Sequence, residues 1–393
     1  MDSSRYESRG VSADKKEVHQ AIHKLDQGLF NNTFCKVLND PFSKNDEDCI
    51  MLHADTAGTK TILAYLYWKE TGDLTIWKGI AQDALVMNID DMAVSGAVDR
   101  FIISNTLLRN KKLIPGEVLQ TIIDGTLDFM DQMAQFGIHM HHAGGETADV
   151  GDVIRTTDVG YPVYASLKKD KVFRIDIQPG DVILGIGSAG QTIYESNYNS
   201  GISCNGLTSA RHDVLSKMYS TKYPESYDPA LDPALTYVGK YRIQDMVQDK
   251  SGGQHMIGDL LLSPTRTFLP LLKKIVDHKM DGLHGIVHAT GGAHSKVLKF
   301  ASNVKIIKNR IPDPPIVFDI IQECSNASPE EMYKVFNMGI RLEIYGSIQA
   351  IEQIIPIANE LKLPNQIIGH VVSGTTSPVV EMQVNEKKWN YHE

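Results

Sequence analysis

Four times in this chain an apolar run ends in a cluster of small residues, the first three carrying acidic or amide side chains: "HADTAGTK" (53–60), "HHAGGETAD" (141–149), "SCNGLTSAR" (203–211) and "HATGGAH" (288–294). A strand that stops in a glycine turn and gives way to a helical pattern implies α and β elements interleaved along the sequence. The first cluster follows "CIML" and precedes "TILAYLYWKE", whose apolar residues recur at helical spacing. From 49 to about 165 the alternation continues, with "CIMLHAD", two helices ending near Ala97, and "RFIISNTLL". After Pro115 a long helix is predicted, with Val118, Ile122, Gly125, Phe129 and Met133 on one face. Pro115 and Glu117 suit its first turn.

The stretch "KKDKVFRIDIQPGDVILGIGS" sets a charge run and Gln-Pro-Gly before an apolar strand, which places a domain boundary near 166–180. The expected division is a first domain over 1–170 and a second over 171–393, both of mixed α and β. A length of 393 residues agrees with two cores. In the second half "GIVHATGG", "MYKVFNMGIRLEIYG" and "QIIGHVV" read as strands entering glycine turns. The polar stretches 191–204 and 220–257 read as surface insertions, and residues 1–48 as a leader with a helical pattern in "KKEVHQAIHKLDQGLF".

A net charge of -9 gives no global attraction to nucleic acid or anionic lipid, so neither is expected as a partner. The start has no apolar signal core and no apolar stretch is long enough for a bilayer, so the expected location is cytoplasmic. Cys35, Cys49, Cys204 and Cys324 are scattered without CxxC spacing and read as reduced thiols.

Glycines let backbone N–H groups approach phosphate oxygens, and carboxylates and amides are hard oxygen ligands for Mg²⁺. One such turn is commonly just a turn; four together point to a site for a magnesium nucleotide. The Gly58-Thr59-Lys60 ending is not a Walker A loop, which has an earlier glycine four residues before Gly-Lys-Ser/Thr. In "WKGIAQDALVMNIDDMAVSGA", Asp83 and Asp90 fall almost in line at about 100° per residue, with Asp91 a quarter turn away. The apolar residues around them imply burial, where an unpaired carboxylate is costly and a metal would relieve the cost. Spacing therefore nominates Asp83 and Asp90. His139 and His141 share a strand face, but His142 points away and nothing nearby completes a zinc set. "GIGSAG" (185–190) leads into the polar "QTIYESNYN", and no Gly-x-Ser-x-Gly elbow is present, which weighs against dehydrogenase and hydrolase chemistry.

In order, "HADTAGTK", "MNIDDMAVSGA", "GGETAD", "CNGLTSAR", "LLSPTR", "HATGG" and "EMYKVFNMGI" resemble the signatures of the phosphoribosylformylglycinamidine cyclo-ligase family, the aminoimidazole ribonucleotide synthetases of purine biosynthesis. The resemblance runs from about 50 to 345, with an echo in "YESRGVSADKKEV". It implies a two-domain α+β fold whose N-terminal sheet forms a barrel across a homodimer, with an α/β C-terminal domain. It also implies an enzyme that uses ATP and Mg²⁺ to close formylglycinamidine ribonucleotide to aminoimidazole ribonucleotide, releasing ADP and phosphate. In that chemistry ATP phosphorylates the formyl oxygen, the amidine nitrogen attacks the same carbon, and phosphate leaves.

Carried over by position, the resemblance makes Asp55, Asp91 and Glu146 metal ligands, preferring Asp91 to the Asp90 that spacing favours. Asp55, Gly58, Thr59, Lys60, Asp83, Gly144, Gly145 and Thr147 would hold the nucleotide, with Lys60, His288 and Asn205 catalytic and Thr290 and Asn337 orienting the ligands. The chain also departs from the pattern. Thr56 replaces a glycine, Asp90 an asparagine, "GAVD" (96–99) the usual Gly-Ala-Glu-Pro, and "FNNTFCKVLNDPF" a glycine-rich lid. Arg341 stands where glycine is common, either to contact a substrate phosphate or to cap a strand. These changes mark a divergent branch. The alternatives are another ATP-using member of the superfamily, such as a small-molecule kinase similar to thiamine-monophosphate kinase, or an inactive scaffold homologue.

Overall fold

The computed structural model describes residues 6–11, 21, 24–374 and 377–392. Strand β1 (Leu38–Asn39) pairs with β2 (Asp48–Thr56), the first apolar run. The chain turns through Gly58, whose φ of 55° suits glycine, into α1 (Lys60–Thr71). Helix α2 (Ile76–Ala93) is buried at every residue from Asp83 to Ala93, its polar Asp83, Asn88, Asp90 and Asp91 included. Strand β3 (Arg100–Arg109), α3 (Gly116–Ala134), β4 (His139–Asp149) and β5 (Thr157–Lys168) complete the first half. All five residues predicted to share the apolar face of α3 are buried. Gly125 is there because α3 lies against α2: a Cβ at that position would come 2.6 Å from Lys78 Cα.

The five strands are ordered β1-β2-β5-β3-β4, and the parallel β3–β4 pair is joined through α3, as a parallel connection requires. Helices cover one face. On the other, Leu52, Tyr164 and Ile102 lie side by side across three strands, with Leu52 67% and Ile102 45% exposed. Edge strand β4 is exposed along almost its whole length. Among the described residues this sheet is open, not a closed barrel.

In the second half, β6 (Val182–Gly187) is followed by the short ladder of β7 (Ala189–Gly190) with β8 (Asn199–Ser200). Next come α4 (Leu207–Val214), α5 (Met218–Lys222), the hairpin β9 (Met246–Gln248) with β10 (Gln254–Met256), α6 (Ile257–Leu262) and α7 (Leu269–His278). The remaining elements are β11 (Leu283–His288), β12 (Val304–Lys308), α8 (Ile316–Ser325), α9 (Pro329–Val335), β13 (Ile340–Gly346), α10 (Ile348–Glu360), β14 (Asn365–Ser373), β15 (Val379–Val384) and β16 (Lys387–His392). Seven of these strands form one sheet ordered β11-β13-β6-β14-β12-β15-β16, with α10 packed on its centre.

Two expectations are corrected here. The stretch 191–204 is not a surface insertion: Asn199 and Ser200 are buried, and their side chains donate to the carbonyls of Pro264 and Leu260 at 2.8 and 2.6 Å. Within 220–257, Ser226, Thr236, Tyr237 and Ile243 are likewise enclosed. Half of the predicted leader helix lies outside the described residues, and its second part, 24–30, is turn and irregular chain instead of helix. The four cysteines are free thiols, and no helix among the described residues is long and apolar enough to cross a membrane.

Candidate functional site

A groove of about 640 Å³ opens between the turn after β2, the start of β5, and α4 with the loop that follows it. Gly58 and Thr59 form one lip, Thr208 and Arg211 the other. The Thr59 and Thr208 hydroxyls are 2.7 Å apart and tie the lips together. Thr56 raises no strain: it ends β2 with ordinary backbone, and the left-handed position belongs to Gly58. The Gly58 amide donates to Asp158 Oδ1 at 3.2 Å.

Three arginines give this groove a phosphate-binding character in an otherwise acidic chain. Arg9 is held by Asp213 at 2.6 Å and Ser209 at 2.7 Å, leaving Nη2 without an acceptor among the described residues. Arg211 donates to the Ser226 carbonyl at 2.5 Å while its Nε has no acceptor among the described residues, and Arg155 lies 3.5 Å from Asp228. His212 also lines the groove. Burial, reinforced by Arg211 and Arg9, brings its pKa down to about 2, so the ring is neutral and accepts at Nδ1 from the Tyr237 amide.

Behind the groove, the acids of α2 divide their work. Asp83 accepts from Lys60 at 2.8 Å and from the Thr265 amide at 2.8 Å, and Lys60 also donates to the Ser263 carbonyl at 2.7 Å. Asp90 accepts from the Thr267 hydroxyl at 2.6 Å and the Phe268 amide at 2.9 Å. The face that spacing nominated therefore clasps residues 263–268. Both oxygens of Asp90 and Oδ1 of Asp83 are met by a lysine, hydroxyls and amides, while Asp83 Oδ2 has no partner among the described residues; with no third metal-ligating side chain among them on that face, the metal assigned to it is corrected. Lys60 is fully enclosed and does not line the groove; in this structure it braces Asp83.

Asp91 points a quarter turn away and accepts from His288 Nδ1 at 2.5 Å, with His53 Nε2 3.9 Å from its other oxygen. Burial is the largest influence and opposes ionisation of Asp91, but the His288 hydrogen bond together with the charge influence of His288, His53 and Lys296 holds the carboxyl below its usual range. Burial, then the Arg341 charge, lowers His288. The pair is thus a carboxylate and a neutral imidazole that donates from Nδ1, and Nε2 has no partner among the described residues. Where the glycine-rich lid is replaced, Phe34 stacks on Phe300 at 5.4 Å and sits 6.4 Å from the His288 ring.

Asn205 lies beside Gly291, just past His288, and its buried Oδ1 has no donor among the described residues. Thr290 is buried in the same turn. Asn337 is committed to scaffolding: it accepts from the Gly339 amide at 2.8 Å and donates to the Gly201 carbonyl at 3.0 Å.

Asp55, Asp91 and Glu146 are not one cluster. Among the described residues, no group of three or more His, Cys, Asp or Glu is placed to hold a metal. Asn88 of α2 donates to the Asp55 carbonyl at 3.1 Å and contacts His53 at 2.9 Å, so Asp55 and Asp91 share the helix side of the sheet. Glu146 lies in the row Thr56, Gly160, Thr106, Glu146, whose side chains face the other way. Three strand spacings put it about 14 Å from β2. Gly144, Gly145 and Thr147 go with it, away from Gly58 and Thr59. With two carboxylates on the helix side and the third on the opposite face, a three-carboxylate cage does not fit one chain. Sequence reasoning missed His53, Arg9, Arg155, Asp158, Thr208 and Arg211; the Thr and Arg of "LTSAR", one helical turn apart after a glycine, were the available signal.

Residues 35–165 match the family described as AIR synthase related protein, N-terminal domain. The chain is 28% identical over 325 residues to a phosphoribosylformylglycinamidine cyclo-ligase of Methanocaldococcus jannaschii, covering 82% of this chain and 78% of that one. It is 28% identical over 356 residues to the enzyme of the same name from Saccharolobus solfataricus, covering 90% of each. Among solved structures, Thermotoga maritima PurL complexed with FGAR aligns at a TM-score of 0.54 and 16% identity, over 96% of this chain and 49% of that one. At that identity the likeness shows a shared fold, and this chain spans about half the length of PurL.

Proposed function

We propose, for a chain similar over most of its length to phosphoribosylformylglycinamidine cyclo-ligases, that it closes the imidazole ring of formylglycinamidine ribonucleotide at the expense of ATP, giving aminoimidazole ribonucleotide, ADP and phosphate. The observation that carries this reading is the Asp91–His288 hydrogen bond at 2.5 Å, which brings the "MNIDDM" motif of one half against the "HATGG" motif of the other. Asp91 fixes the imidazole so that Nε2 accepts the proton released as the amidine nitrogen attacks the formyl carbon. Asn205 and Thr290 orient that carbon. Gly58, Thr59, Thr208 and the groove arginines hold phosphate oxygens, and Asp55 and Asp91 hold the Mg²⁺ that neutralises phosphate charge. Lys60 positions these groups through Asp83.

The working unit is a homodimer. The exposed row of Leu52, Tyr164 and Ile102 and the uncovered β4 edge form the surface that a second copy would cover in closing a barrel. Glu146, Gly144, Gly145 and Thr147 lie on that surface and act there, beside the second copy. No nucleic acid or membrane partner enters this reading.

Purified protein incubated with Mg-ATP and formylglycinamidine ribonucleotide should release ADP and aminoimidazole ribonucleotide in equal amounts, followed by chromatography. ADP without the imidazole, or neither product, would overturn the reading.

A further inference from the structure

Arg341 lies in β13 where pairing with β6 shifts register between Ile340 and Leu342, and it is 1% exposed. One end of its guanidinium is anchored: Nη1 donates to the Arg266 carbonyl at 2.5 Å, and the group lies 5.7 Å from the centroid of the Phe268 ring. The other edge is free. Neither Nε nor Nη2 has an acceptor among the described residues. Those two nitrogens are neighbours on the planar fork, spaced to donate in parallel to two oxygens of one phosphate or carboxylate. Burying two such donors unmatched is unfavourable, and a bound oxyanion removes the penalty.

The acids around this cation do not use that edge. Asp83 and Asp90 are engaged by residues 60 and 265–268, and Asp91 by His288. Their influence is through charge, with Asp90 foremost. Asp90 and Arg341 are also two of the positions at which the chain departs from the pattern it resembles. The added carboxylate balances the added guanidinium, so the buried junction gains a two-donor edge with no net change in charge. His288 Nε2 and Asn205 Oδ1, unmatched as well, belong to the same junction.

We propose that the Nε/Nη2 edge of Arg341 receives phosphoryl oxygens and is a specificity-determining contact of this chain. It rests on the cyclo-ligase reading only for the source, either the terminal phosphoryl group of ATP or the ribose phosphate of the substrate. The test is calorimetric titration of the full chain with a magnesium complex of a non-hydrolysable ATP analogue, with formylglycinamidine ribonucleotide, and with its dephosphorylated nucleoside. Three variants are compared: Arg341→Met, Arg341→Lys, and Arg341→Met with Asp90→Asn. The last removes both charges together, so a fold that needs only their balance survives.

Each folded variant should bind one phosphoryl ligand about tenfold or more weakly, with the nucleoside unaffected. Arg341→Lys is included because it keeps the charge but cannot bridge two oxygens. Loss confined to the analogue assigns the ATP phosphoryl group, and loss confined to the ribonucleotide assigns the ribose phosphate. Wild-type affinity for both in the double variant or in Arg341→Lys would overturn the proposal and leave Arg341 a counter-charge for Asp90. Failure of the wild type to bind either ligand would overturn it too. No turnover is read, so a protein that binds these ligands without closing the ring would count against the cyclo-ligase reading alone.

Discussion

Asp90 and Asp91 are adjacent on one buried helix, yet the first accepts from Thr267 and Phe268 and the second from His288. Asp91→Asn removes the charge that orients the imidazole, so kcat should fall by about two orders of magnitude or more with the fold retained, as steady-state assays and a melting curve would check. Near-normal turnover would remove Asp91 and His288 from the chemistry together. His212 supplies a pH test. Its pKa is about 2 in the folded chain against 6.5 when unfolded. Above pH 6.5 the ring is neutral in both states and contributes nothing. Below it the unfolded chain binds a proton that the folded chain does not, so stability falls as pH drops, by up to about 1.4 kcal/mol per pH unit. Urea unfolding between pH 7 and 4.5 should show a shallower slope for His212→Asn by roughly that amount. At this scale the sequence made the acids visible, and helix spacing correctly put Asp83 and Asp90 on one face. What faces them was not legible, because Thr265, Thr267 and Phe268 are about 180 residues away.

Among the elements, α3 was legible because its 3.6-residue period is a local property that packing then used unchanged. The same helix carries a steric prediction. Gly125→Ala places a methyl group 2.6 Å from Lys78 Cα, so α2 and α3 must separate, costing about 1–3 kcal/mol in urea unfolding. An unchanged midpoint would mean the helices are not held this close. The stretch 191–204 was not legible. Its polar side chains are buried because distant carbonyls satisfy them, Leu260 for Ser200 and Pro264 for Asn199. Glu146 failed as a ligand beside Asp55 for a similar reason: strand order, not sequence spacing, puts it three strands away on the other face.

Across the whole molecule, short contacts from Thr59 to Thr208, Lys60 to Ser263, Asp83 to Thr265 and Asp91 to His288 stitch the two halves along one seam, and the proposed chemistry lies on it. The first half leaves an apolar sheet face and a strand edge bare. Ile102→Glu or Leu52→Lys should therefore convert a dimer to monomers in sedimentation velocity, and a monomeric wild type would contradict the dimer. The central claim is that ATP activates the formyl oxygen for ring closure, and it is tested most directly by supplying substrate labelled with ¹⁸O at the formyl group in a single turnover. The account predicts one aminoimidazole ribonucleotide and one ADP formed for each phosphate released, with the label in that phosphate. ADP accompanied by unlabelled phosphate and no imidazole would contradict it.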